Sequence, residues 1–168
     1  NSTALGSTAT ATANQSTAVG RIAEGTGVAS TAVGYGAVAS ADKTTALGEE
    51  ASASAINAIA IGADGDSDRT GAIASAVDAI SLGTDAVASA EGAVALGARA
   101  VADRSNTVSV GTSGDERQIV NVAAGSQDTD AVTVAQLNSA IAGVSGGGAG
   151  SGSAYFVANS DGVVPVAT

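Results

Sequence analysis

The 168-residue chain contains no His, no Cys, no Met and no Trp, and only two Tyr, one Phe and one Pro. Without His or Cys there is no imidazole base, thiol nucleophile, soft-metal ligand or disulfide. A chain without Cys also suits export across membranes in the unfolded state. Aromatic residues make up 2% of the chain, so the bulky side chains that usually fill a globular core are missing. Positive charge is scarce as well: 6 basic against 16 acidic residues give a net charge of −10. Arg21, Lys43, Arg69, Arg99, Arg104 and Arg117 are scattered, so no basic patch exists to bind nucleic acid. No apolar run is long enough to span a membrane, and no signal peptide is recognisable. The chain opens inside a repeat and stops without an obvious cap, which reads as a fragment of a longer protein.

What is abundant is glycine, with 23 residues, and small aliphatics in a fixed rhythm. Ala4-Leu5-Gly6, Ala18-Val19-Gly20, Ala32-Val33-Gly34, Ala46-Leu47-Gly48 and Ala60-Ile61-Gly62 recur every fourteen residues. The beat resumes at Ser81-Leu82-Gly83, Ala95-Leu96-Gly97 and Ser109-Val110-Gly111. Such a period excludes a disordered chain and implies a solenoid. Within each repeat two short runs alternate with period two, so small residues share one strand face and larger ones the other. The expectation is a flattened parallel β-roll with two strands of about 4–5 residues per turn. Glycine is expected to end the second strand, where a sharp turn needs positive φ. Ile59 and Ala60, like Val87 and Ala88, fall on opposite faces, which leaves apolar side chains outside so narrow a roll. Oligomerisation along the roll is the expected remedy. One irregularity after Gly62 reads as a lengthened turn or an outward loop.

Beyond Asp115 the repeat stops. Thr129 or Asp130 is placed to N-cap a helix. Val134, Leu137, Ile141 and Val144 then follow the 3-4-3 spacing of a short coiled-coil seam. Gly146-Gly147-Gly148 ends it.

Two motifs carry a resemblance. Arg117-Gln-Ile-Val-Asn-Val-Ala-Ala-Gly125 followed by Asp128-Thr-Asp-Ala-Val-Thr-Val-Ala-Gln-Leu137 closely resembles the neck of trimeric autotransporter adhesins. The repeats from Ala4 to Gly111 resemble the YadA-like head of that family. Asn57-Ala58-Ile59-Ala60-Ile61-Gly62 lies nearest its Asn-Ser-Val-Ala-Ile-Gly hexapeptide, and Asn106-Thr107-Val108-Ser109-Val110-Gly111 is a looser copy. Ala154-Tyr155-Phe156 to Gly162 resembles the entry to a further module.

The resemblance implies a mainly β homotrimer of left-handed parallel β-rolls with a neck and a short trimeric coiled coil. Its divisions are a head at 1–114, a neck at 115–131, a helix at 132–145, a Gly/Ser-rich linker at 146–153 and the start of another module at 154–168. It implies a bacterial surface protein whose membrane anchor lies outside this sequence. The partner would be a host extracellular-matrix protein or cell surface, bound without a cofactor, metal or catalytic residue. The alternative is a structural spacer that projects a distal adhesive domain. The candidate adhesive surface is Asn57 to Gly62. The candidate trimer and neck residues are Arg117, Ile119, Val120, Val122, Asp128, Asp130, Val134, Leu137 and Ile141. Arg117 is paired in this reading with a carboxylate of a neighbouring chain, Asp128 or Asp130.

Other chemistry is weakly supported. Asp64-Gly65-Asp66-Ser67-Asp68 opens like a calcium loop, but Arg69 and Ser75 stand where an EF-hand needs Gly and Glu, so it reads as a polar surface loop. The abundant Ser and Thr have no His base, and Glu49-Glu50 has no evident cleft, so enzymatic activity is not expected. The outward threonines that an ice-binding face would need give way to Ser52, Val87 and Asp103.

Overall fold

The computed structural model describes residues 1–146 of the backbone, and side chains through residue 142. The expected linker and following module, from residue 147 on, and the side chain of Val144 lie outside the described residues. Two units are formed, Asn1–Arg117 and a second that begins at Gln118.

The first unit is a parallel β-solenoid. Eight strands, from Thr3–Leu5 to Val108–Ser109, form one sheet, and seven, from Thr10–Ala11 to Val101–Ala102, form the other. Consecutive turns pair in register: Leu5 lies beside Val19, Val19 beside Val33, and Val33 beside Leu47. The strands are shorter than the expected 4–5 residues, mostly three in the first sheet and two in the second. The reason is geometric. Each half-turn of seven residues must also round a corner, and only two of its side chains face inward.

Those inward positions hold almost nothing but alanine. Ala46, Ala51 and Ala53 of one turn and Ala58, Ala60, Ala72 and Ala74 of the next are fully buried. Buried hydroxyls bond locally: Thr44 Oγ1 donates to the Ala41 carbonyl at 2.6 Å and Ser81 Oγ to the Ala86 carbonyl at 2.7 Å. Ser30 Oγ, at the position equivalent to Thr44, is buried without a partner. The sheets approach so closely that a methyl group fills the space between them, which is why a chain without Phe, Trp or Met in its repeats still has a packed interior.

The recurring beat of glycine has a second cause beyond the one expected. These glycines do have positive φ, +143° at Gly34 and +133° at Gly48. They also stack: a Cβ on Gly34 would lie 2.2 Å from the Gly48 carbonyl oxygen, and one on Gly20 2.2 Å from that of Gly34. The left-handed turn residue proper sits two places later and is seldom glycine. Thr8, Ile22, Glu50, Asp85 and Arg99 occupy it with φ between 53° and 58°. The opposite corner has its own left-handed residue, among them Gln15, Ala29, Lys43, Asn57 and Asp78.

The irregularity is an outward loop. Ala63 to Gly71 replaces the two-residue corner seen at Glu49-Glu50. The sheets run past it unbroken, Ile73 pairing with Ser52 and Ile80 with Ile59.

In the second unit, the helix runs from Val134 to Gly146. Its N-cap is Thr133, not Thr129 or Asp130. Thr133 Oγ1 accepts the Gln136 amide at 3.3 Å and Gln136 Oε1 accepts the Thr133 amide at 3.2 Å, a reciprocal capping box. Asp130 is committed elsewhere: its Oδ2 accepts the amides of Ser126 at 2.8 Å and Gln127 at 2.9 Å.

Candidate adhesive surface and neck

Because alternate residues point outward, the first sheet presents a continuous aliphatic column. Leu5, Val19, Val33, Leu47, Ile61, Leu82 and Leu96 follow one another by direct strand pairing. Leu5, Leu47 and Leu96 are 66%, 42% and 47% exposed in the single chain. A parallel column begins as Thr3, Thr17, Thr31 and Thr45 and becomes Ile59, Ile80, Val94 and Val108. An unbroken apolar strip of this length marks an interaction face. The second sheet is more polar at one end, Thr10, Glu24, Val38 and Ser52, and aliphatic at the other, Ile73, Val87 and Val101.

The stretch Asn57 to Gly62 is divided by this geometry. Ala58 and Ala60 are wholly buried, so they cannot touch a ligand. Gly62 belongs to the glycine stack, where a Cβ would meet the Gly83 carbonyl. Ile59 and Ile61 point outward on the aliphatic strip. Asn57 lies at an exposed corner with φ 61°, and its Nδ2 donates to Asp78 Oδ1 at 2.8 Å. The six residues are therefore not one contact surface, because period-two alternation sends half of them into the roll.

Arg117 closes the end of the solenoid. Its guanidinium donates to the carbonyl of Val110 at 2.6 Å and to that of Ala98 at 2.5 Å, satisfying acceptors left open where the ladder stops. Two of its N–H groups are thus used within its own unit, a role other than the expected pairing with Asp128 or Asp130. Glu116 Oε1 accepts the Gly114 amide at 3.0 Å, and bonds from the Gly114 amide and its own amide hold its carboxyl below the ordinary glutamate range.

In the neck, Gln136 does more than cap. Its Oε1 accepts the Gly125 amide and its Nε2 donates to the Gly125 carbonyl, both at 2.9 Å. One side chain thereby fixes the loop Gly125–Asp130 against the first turn of the helix. The Thr-x-x-Gln spacing at Thr133–Gln136 was the available signal for this box. The amides of Ser126 and Gln127 hold the Asp130 carboxyl below the ordinary aspartate range, against a smaller desolvation. Ile119 and Val120 are exposed in the single chain, Val122 marginally so, and Val134, Leu137 and Ile141 lie exposed along the helix. Asp128 is exposed at the neck loop.

The carboxylates of Asp64, Asp66 and Asp68 lie within 4.8 Å of one another. Each acts as a cap within its own loop. Asp64 accepts the amides of Asp66, Ser67 and Arg69, Asp66 that of Asp68, and Asp68 that of Thr70. Desolvation pushes the Asp64 carboxyl up, but the amides of Arg69, Ser67, Asp66 and Asp68 together hold it below its ordinary range. No helix among the described residues is long and apolar enough to cross a membrane.

Comparison with known proteins adds to this geometry. A model of the YadA head domain repeat matches residues 1–21, 26–48, 39–64, 74–100 and 88–113. A model of the coiled stalk of trimeric autotransporter adhesin matches residues 118–159. Among solved structures, the chain is similar to the crystal structure of the collagen-binding domain of the Yersinia adhesin YadA. The identity is 30%, the TM-score 0.53, and the match covers 80% of this chain and 87% of that one. No curated protein sequence matches.

Proposed function

Since the chain belongs to the YadA-like trimeric autotransporter adhesins, we propose that three copies assemble side by side into a head that attaches a bacterial surface to extracellular matrix. The observation that carries this is the aliphatic column from Leu5 to Leu96, an apolar strip present once per turn, half-buried at Val19, Val33, Ile61 and Leu82 and exposed at Leu5, Leu47 and Leu96 in the single chain. Its burial between neighbouring rolls removes apolar area from water in every turn, at about 25 cal/mol per Å². Val134, Leu137 and Ile141 extend the same requirement to a three-stranded coil in the second unit. Ile119, Val120 and Val122 give the neck its own apolar contacts between chains.

With the first sheet committed to assembly, the ligand is left the second sheet and the corners of the turns. Asn57 remains in the adhesive surface as a corner residue. Collagen is the first candidate, since the similar Yersinia domain binds it. Three chains with many equivalent turns supply avidity from weak contacts, without a deep pocket. The parent would be held in the outer membrane by a segment outside this sequence.

The test is sedimentation of the fragment, then binding of the verified trimer to immobilised collagens, laminin and fibronectin at physiological salt. A three-chain mass with saturable binding, lost when the trimer is dissociated, is expected. A single-chain mass at all concentrations would refute the assembly. A trimer that binds none of these surfaces would refute attachment and leave a spacer.

A further inference from the structure

Three departures from the repeat meet at one corner of the roll. Tyr35 is the lone aromatic residue among residues 1–146. Gly36 replaces the side chain that most other turns carry at the left-handed position of this edge. The outward loop Ala63–Gly71 emerges on the same edge, two turns later. Stacking brings them together around an open recess of about 300 Å³, lined by Tyr35, Glu49, Glu50, Asp64, Ser67 and Arg69.

The recess is preformed. Arg21 lies over the Tyr35 ring, 5.4 Å from its centroid, and its Nη1 donates to the Tyr35 hydroxyl at 3.5 Å. That contact covers one face of the ring and orients it. The Glu50 carboxylate leans back over Gly36, where a Cβ would lie 2.6 Å from the Glu50 Cδ. The loop is anchored at its base, since Asp85 Oδ1 accepts the Gly65 amide at 2.9 Å and Asp64 gathers three amides of the loop itself.

We propose that this recess binds a neutral sugar ring of a glycan. The apolar C–H face of a sugar suits an oriented aromatic ring. Its hydroxyls act as donors and acceptors at once, and the lining supplies both kinds. Glu49 and Glu50 accept, Arg69 donates, and the Tyr35 and Ser67 hydroxyls do either. Three carboxylates against one guanidinium in the lining disfavour sialylated or sulfated sugars. The volume is at the lower limit for small-ligand sites, so a single ring rather than a long chain is the natural occupant. Weak single-site binding is sufficient, because a trimeric head presents three such recesses to a glycan-bearing surface. In this last respect the proposal rests on the trimeric adhesin reading, whereas the recess itself belongs to one chain.

The experiment measures binding of the verified trimer to polymer-linked β-galactose, β-glucose and N-acetylglucosamine, with sialyllactose as the acidic comparison. Binding to at least one neutral probe is expected, with at least a tenfold loss in Tyr35→Ala and in Glu49→Gln. Glu91→Gln, a carboxylate change at the opposite corner, should leave it unchanged. Collagen binding is measured in parallel as a separate readout. Trimer that binds no neutral probe, or binding that survives Tyr35→Ala or prefers sialyllactose, would overturn the proposal while leaving the collagen result to stand or fall separately.

Discussion

Substituting Gly34 by Ala tests whether the glycine beat is set by stacking or by the local turn. The added Cβ would lie 2.2 Å from the Gly48 carbonyl oxygen, 2.5 Å from its carbon and 3.2 Å from the Glu49 nitrogen. Relief requires the next turn to retreat by roughly 1 Å, since non-bonded heavy atoms settle near 3.5 Å. Two ladder bonds resist that movement, Gly48 N–H to the Val33 carbonyl at 2.9 Å and Glu50 N–H to the Tyr35 carbonyl at 2.8 Å. Losing one to two such bonds costs about 1–3 kcal/mol. Holding an alanine at a φ of +143° adds about 1–3 kcal/mol. The sum is roughly 2–6 kcal/mol.

Gly36→Ala is the control. Its φ is 64°, a value that Thr8 and Arg99 adopt at equivalent corners, and the Cβ would meet only the movable Glu50 carboxylate. Its expected cost is about 1–2 kcal/mol. Urea unfolding of both variants at one fixed trimer concentration, followed by circular dichroism, gives the comparison. If Gly34→Ala costs no more than Gly36→Ala, the stacking argument is wrong, and the beat reflects turn conformation alone.

Ser30→Ala should be neutral or stabilising by up to about 1 kcal/mol, because its hydroxyl is buried without a partner and Ala58, Ala79 and Ala93 fill the equivalent site in other turns. A clear loss in the same unfolding assay would show that the hydroxyl makes a bond after all. Gln136→Leu removes both contacts to Gly125 and half of the capping box. Local stability of the neck should drop by about 2–3 kcal/mol, seen as faster hydrogen exchange at the Gly125 amide with the roll unchanged. Gln136→Glu, which keeps the acceptor and loses the donor, should fall between. Asp130 has a carboxyl held below its ordinary range by the amides of Ser126 and Gln127. Its contribution is therefore complete above the ordinary aspartate range and lost as pH falls through the depressed value. Exchange protection at Ser126 and Gln127 should decline there in the native chain, and Asp130→Asn should abolish that pH dependence. A native chain with flat protection down to about pH 2 would contradict it.

Much of this protein is written locally. A fourteen-residue beat with period-two alternation inside it specifies a solenoid with alanines on one strand face and larger aliphatics on the other, because strand geometry alone sends successive side chains to opposite faces; the structure turns the alanine face inward. The neck motif was legible from its resemblance to a known family, and the spacing of Val134, Leu137 and Ile141 from helix geometry. Competing local signals were harder to rank. Thr129, Asp130 and Thr133 are all capping residue types; the sequence reading favours Thr129 or Asp130, whereas the Gln136 side chain makes Thr133 the cap and Asp130 ties the preceding loop. The hexapeptide at Asn57 looked like one surface as a string, yet its alanines are buried by the alternation it contains.

What only the tertiary structure decided is whatever depends on one turn lying against the next. The glycine column is required by a carbonyl fourteen residues away, and Ile22 or Arg99 can hold left-handed corners where sequence reasoning would expect glycine. The recess at Tyr35 joins residues from two successive turns and a loop, some thirty positions apart in the chain. Local rules fix which way a side chain points. The few ångströms between stacked turns fix what it meets, and that distance is a property of the ladder rather than of any single repeat.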